Sequence, residues 1–201
     1  MKKYIKIMTV AIAVSFLVPL SVVHSQIAGL DIKLGVKGGF NYSLFGGKDN
    51  DQTKGKTGYN VGVFALYELM PMIAVQPELL YTLKGARTTT PGQNFEYYYQ
   101  YFEMPVLMRV GMDIEEQKFY FIGGPSFSYA KKAYTRDREG SATVLTKPKK
   151  SDYGIIAGLG TGTADSKITV EGRIYFGVPD VVKKTKVNNI TYSIGMGYLI
   201  Y

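Results

Sequence analysis

The sequence predicts an all-β fold, an eight-stranded antiparallel up-and-down transmembrane β-barrel, and three observations carry that expectation. After an apolar N-terminal run, eight segments alternate apolar and polar residues with the period of a strand, and none has the period of an amphipathic helix. The links between these segments are alternately short and long, as in a barrel that crosses a membrane and returns. The face opposite the apolar rows is rich in glycine, where a sheet facing water would crowd lysine and glutamate. An all-antiparallel sheet must form a sandwich or close on itself, and a sandwich has no reason to alternate its links.

The chain opens with Lys2, Lys3 and Lys6, continues through IMTVAIAVSFLVPL, and places Val23 and Ser25 at the small positions of a cleavage site. This reads as a secretory signal peptide over residues 1–25, followed by the barrel over 26–201. The apolar run is shorter than the ~20 residues that a spanning helix needs. Cleavage after Ser25 removes three of the 24 Lys+Arg and the single histidine, leaving 21 against 16 Asp+Glu, a net +5. With no cysteine anywhere and no histidine after residue 25, disulfides, thiolate or imidazole metal sites, cysteine nucleophiles and histidine triads are all unavailable. No cofactor and no metal are expected, and lipid attachment at an N-terminal cysteine is excluded.

Taken in order, the first strand sets Ile32, Leu34, Val36, Phe40 and Tyr42 against Lys33, Gly35, Lys37, Gly39 and Asn41. The second sets Tyr59, Val61, Val63, Ala65, Tyr67 and Leu69 against Asn60, Gly62 and Glu68. In the third, Ile73, Val75, Leu79, Tyr81 and Leu83 oppose Gln76, Glu78, Thr82 and Lys84; in the fourth, Phe102, Met104, Val106, Met108 and Val110 oppose Glu103 and Arg109. The third and fourth read as one hairpin. Pro77 and Pro105 lie inside these two strands, where each removes a ladder donor, so bulges or local gaps are expected there. The fifth offers Phe119, Phe121, Phe127 and Tyr129 against Lys118, Ser126 and Ser128, with Tyr120 and Ile122 blurring the pattern. The sixth carries Tyr153, Ile155, Ala157 and Leu159, and the seventh Ile168, Val170, Ile174 and Phe176 opposite Glu171 and Arg173. The last strand sets Ile190, Tyr192, Ile194, Met196, Tyr198 and Ile200 against Ser193, Gly195 and Gly197.

Short links follow the second, fourth and sixth strands (MPM, GMDIEEQ, ADS), and long polar ones span 44–57, 85–96, 131–151 and 179–189. With the apolar rows facing lipid, the other parity fills a narrow lumen. Its charged members, Lys33, Lys37, Arg109 and Arg173 against Glu68, Glu78, Glu103 and Glu171, are expected to neutralise one another as a structural cluster. Glu78 and Glu103 also admit a reading as a catalytic carboxylate pair, which the ion-pair reading outweighs, and no enzyme is expected.

The segments GVKGGFNYS, VGVFALYEL, VQPELLYTLKGA, YFEMPVLMRV, FYFIGGPSFSY and GMGYLIY together resemble the PorT family of outer-membrane β-barrels from Bacteroidetes. The likeness extends over nearly all of residues 26–201, and PELLYTLKG and YFEMP are its most specific parts. It implies a small outer-membrane barrel; the family's namesake takes part in protein secretion, a role that membership alone does not transfer. Ser193, Gly195, Tyr198 and Ile200 resemble the last-strand pattern read by the barrel-assembly machinery, which implies that machinery as a partner during insertion.

The last two long links are basic. The stretch 131–151 holds Lys131, Lys132, Arg136, Arg138, Lys147, Lys149 and Lys150 against two acids, while the short link GMDIEEQ holds Asp113, Glu115 and Glu116. Lys131, Lys132, Lys147, Lys149 and Lys150 are therefore candidates to face the phosphates and acidic sugars of lipopolysaccharide, set against simple solvated loops. A structural or interaction barrel with a plugged interior, in a lipid setting and with an envelope protein as a further possible partner, is the leading expectation; a narrow porin-like channel for small solutes is the alternative. An outer-membrane location excludes nucleic acid despite a sequence pI near 9.4.

Overall fold

The computed structural model describes residues 32–46, 53–88, 96–114, 117–136, 142–144, 151–163, 167–178 and 188–200. The expected signal segment, residues 1–25, lies outside them. Nine strands occur in chain order: β1 (Ile32–Gly46), β2 (Thr53–Met70), β3 (Ile73–Thr88), β4 (Glu96–Ile114), β5 (Gln117–Arg136), β6 (Ala142–Val144), β7 (Ser151–Thr163), β8 (Ile168–Gly177) and β9 (Asn188–Leu199). All pairings are antiparallel, and β9 returns to β1 with Phe40 opposite Ile194. The sheet thus closes as a barrel of eight long strands. The short β6 only extends the end of β5, through Tyr134–Val144 and Arg136–Ala142. Closure leaves the eight long strands with no open edge, so the backbone groups that lipid would leave unsatisfied are paired within the wall.

The alternation read from the sequence sorts residues to the two faces. Phe40, Val61, Phe121, Ile155, Ile194 and Met196 are exposed on the outside, each by more than half. An apolar belt this continuous suits a hydrocarbon phase. Tyr59, Tyr81 and Phe102, adjacent across β2, β3 and β4, form part of an aromatic girdle, with ring centroids 6.4 and 5.9 Å apart. Tyr67 lies on the outer row of β2 near its other end, so the run from Tyr59 to Tyr67 reaches the ~9–11 residues that a tilted strand needs to cross a bilayer.

Inside, glycine and aromatic residues alternate across neighbouring strands. Gly35 lies opposite Phe64, and Gly160 opposite Tyr120. A Cβ on Gly35 would come within 2.5 Å of the Phe64 ring, and one on Gly160 within 2.3 Å of the Tyr120 ring. The glycines are therefore the seats of inward aromatic side chains. Tyr120 and Ile122, which blur the pattern of β5 in sequence, point inward and join Leu107, Ile156 and Tyr175 in one buried cluster. A second cluster, Phe64, Leu66, Ala74 and Leu199, lies towards the short-turn end.

One feature differs from the sequence-based expectation, and the two prolines meet it. The strands run past the girdle into the expected long links, so that Lys131 and Lys132 belong to β5 and not to a loop. Polarity marks where lipid ends, whereas a ladder continues for as long as a partner strand is alongside. At the prolines, local gaps occur and the register is kept. Pairing between β2 and β3 stops at Phe64–Glu78 and resumes at Tyr67–Val75, passing Pro77; between β3 and β4 it stops at Pro77–Val106 and resumes at Leu80–Glu103, passing Pro105. The tight turn Pro71–Met72 joins β2 to β3, with Met72 at φ 72° and its carbonyl accepting from the Gly111 N–H at 2.7 Å.

An outward, half-exposed position at mid-strand should reject charge when the barrel is in a bilayer. Val63→Arg is expected to cost roughly 2–4 kcal/mol of stability in lipid, the range for Arg at a bilayer midplane. Chemical unfolding of the refolded barrel in vesicles measures it, and a cost no larger than that of Lys54→Arg outside the girdle would count against a lipid-facing belt.

Candidate functional site

The lumen is centred on two carboxylates. Glu78 from β3 and Glu171 from β8 are 1% and 3% exposed, and burying either as an ion requires partners on all sides. Strand alternation brings those partners inward from five strands. Lys37 of β1 bridges the two, with Nζ 3.0 Å from Glu78 Oε1 and 2.6 Å from Glu171 Oε2. Arg173, two residues from Glu171 on the same face of β8, donates from Nη1 and Nη2 to Glu78 at 2.8 and 2.6 Å and also pairs with Glu171. From β4, Arg109 Nη2 reaches Glu171 Oε1 at 3.1 Å while its guanidinium lies 3.7 Å from the centroid of the Tyr120 ring. Gln76 Nε2 donates to Glu78 at 2.6 Å, and the Tyr120 hydroxyl donates to Glu171 Oε1 at 3.0 Å.

Glu103 stands apart from this group. It pairs with Lys84 Nζ at 3.2 Å and accepts from the Ser126 hydroxyl at 3.1 Å, and Lys84 lies 4.1 Å from the centroid of the Tyr175 ring. Glu78 and Glu103 are thus held in separate ion pairs. Lys33 and Glu68 make a half-exposed pair at 2.7 Å near the short-turn end. Lys84, Gln76 and the tyrosines are missing from the charge set picked out in the sequence. Parity alone marks Lys84 and Gln76 as inward, and nothing local marks Tyr120.

Two cavities flank the central layer. One, of about 40 Å³, is bounded by Lys37, Asn41, Thr82, Lys84, Glu171 and Arg173; the other, of about 100 Å³, lies towards the short turns beside Arg109, Tyr120, Glu68 and Lys118.

At the opposite end a rim of charge sits beyond the girdle. Lys131 and Lys132 are exposed there, and Lys131 Nζ lies 5.5 Å from the centroid of the Phe102 ring, an aliphatic stem along the girdle with its charge above it. Lys147, Lys149 and Lys150 lie outside the described residues. On the same rim Glu96 pairs with Lys56 and accepts from Arg87 Nε at 2.9 Å and the Tyr98 hydroxyl at 2.7 Å. Lys56 and these donors hold the Glu96 carboxyl down to about 2.

A depressed folded-state value means that this rim cluster contributes its stability above the ordinary carboxylate range and loses it as pH falls through about 2. The carboxyl resonance of Glu96 in the micelle-embedded protein should therefore remain that of an ion down to roughly pH 3. A midpoint near 4 would show that the cluster does not form.

The model of the family described as Outer membrane protein beta-barrel domain matches residues 24–183. No curated protein matches the chain. Among solved structures, neisserial surface protein A (NspA) is similar with a TM-score of 0.51 at 12% identity, over 84% of this chain and 98% of that one. Ail, the attachment invasion locus protein of Yersinia pestis, has a TM-score of 0.48 at 15% identity, over 85% and 99% of the two chains. The outer membrane protein OprG from Pseudomonas aeruginosa has 0.44 at 13%, over 84% and 96%. At these identities likeness speaks to fold alone, and the NspA match carries it. With the matched family model covering most of the closed barrel just described, this chain belongs to the outer membrane protein beta-barrel domain family.

Proposed function

We propose that this protein is a non-conducting outer-membrane barrel with a structural and interaction role, without catalytic activity, whose centre is closed by the Glu78–Glu171 ion cluster and whose long-link end meets anionic lipid. The observation that carries the reading is the central layer itself: two carboxylates and three cations meet side chain to side chain across the lumen. Eight strands leave an interior about wide enough for side chains, whereas continuous aqueous channels normally use about 16 strands or more. Short turns face the periplasm in barrels of this class, which puts the basic rim outside. Residues 1–25 would act as the export signal, and the barrel-assembly machinery would read the last strand during insertion. The PELLYTLKG and YFEMP segments support placing the chain with the PorT-type barrels of Bacteroidetes; they do not bring a secretion role with them.

In planar bilayers the purified barrel is expected to give no stable open channel. Large, long-lived conductance steps would overturn the closed reading and favour the narrow porin.

The lipid-facing role rests on Lys131 and Lys132 at the rim and on the sequence-adjacent Lys147, Lys149 and Lys150. Replacing the last three with glutamine is expected to weaken association with lipopolysaccharide, by a factor that shrinks as salt rises, while leaving folding intact, because exposed charges add little stability. Binding measured across a salt series for both proteins decides it. Equal binding with no salt response would leave the rim as solvated surface and point to an envelope protein as partner.

A further inference from the structure

The two cavities share no lining residue, yet a single side chain joins their walls. Glu171 bounds the smaller cavity, and its Oε1 accepts from Arg109 and from the Tyr120 hydroxyl, both of which bound the larger one. Each cavity also has polar atoms left over. Asn41 and Thr82, 3% and 2% exposed, border the smaller one, and neither the Asn41 amide nor the Thr82 hydroxyl has a hydrogen-bond partner among the described residues. Arg109 Nε is likewise without one on the other side. Buried amide and hydroxyl groups left in that state are costly, and about 40 Å³ of space exceeds the ~10–15 Å³ that admits a water.

We propose that the lumen is an occluded path for water and small monovalent ions: two hydrated cavities, closed against each other by one layer in which Arg109 and Tyr120 seal the Glu171 carboxylate. This rests on the closed-barrel reading above. Water in the smaller cavity would satisfy Asn41 and Thr82 and extend to Glu171. From the other side, the cavity lined by Glu68, Asp113 and Lys118 reaches Arg109 and Tyr120, which cover the same carboxylate. Arg109 is the removable member, since Glu171 keeps Lys37 and Arg173 without it.

The test compares the wild-type barrel with Arg109→Ala, each refolded into liposomes and checked for the heat-sensitive gel mobility of a folded barrel. Wild type is expected to release entrapped potassium no faster than empty liposomes, and the variant severalfold faster, with small stable steps in planar bilayers. A folded Arg109→Ala barrel as tight as wild type would overturn the proposal. Long-lived conductance in wild type would instead overturn the closed reading on which it rests. The chain has no cysteine, so a second arm is available should Arg109→Ala not fold. Silver ion is expected to react with Thr82→Cys only from the long-link side and with Ala74→Cys only from the short-turn side. Reaction from both sides, or no reaction at Thr82→Cys, would refute the two-cavity arrangement.

Discussion

In hydrocarbon no water is present to bond a stray N–H or C=O, so a sheet that crosses a membrane has to close. With eight strands, closure creates a lumen too narrow for bulk water and too wide to be left empty. The rest of the molecule follows from filling that space. Glycines at inward positions take the rings of Phe64 and Tyr120, and side chains from β1, β3, β4 and β8 meet at the centre. The outward parity stays uniformly apolar because it packs against lipid and has no shape to match.

The choice of ions for the centre has a physical cost and a structural return. Desolvating Glu78 and Glu171 opposes folding, and a packed apolar core of equal volume is often as stable as a buried ion cluster. An apolar lumen, however, would present lipid-like surface on both faces of every strand, and a one-residue slip in register would then meet little penalty. Charges that find partners across the barrel, as Arg173 does with Glu78 or Lys37 with Glu171, tie β1, β3 and β8 to one register. The two-residue interruption at Gln76 and Pro77 falls beside Glu78, where lumen contacts replace ladder bonds in holding the strand.

The two ends of the barrel differ in the same terms. At the short-turn end lie the pair Lys33–Glu68 and the Met72 turn. At the other end, strands continue past the girdle and carry Lys56, Arg87, Glu96, Lys131 and Lys132 into the level of headgroups. Rings at the boundary and cationic tips above them are what an interface between hydrocarbon and anionic headgroups selects.

Strand number, strand order and the sense of each face were legible in the sequence, because a two-residue period and the rhythm of link lengths are local properties that closure must respect. Parity even picked out Lys37, Glu78, Glu103, Arg109, Glu171 and Arg173 as inward. Which cation meets which carboxylate was not legible, since Glu78 and Arg173 are 95 residues apart and meet only because β3 and β8 face each other across the closed lumen. The inward aromatics were hidden for a related reason: Tyr120 and Ile122 look like noise in β5 until Gly160 on the neighbouring strand supplies the space for a ring. Tertiary structure alone decided the extent of the strands beyond the membrane, the division of the lumen into two cavities and the pairing of its ions, all of which depend on what lies across the barrel instead of along the chain.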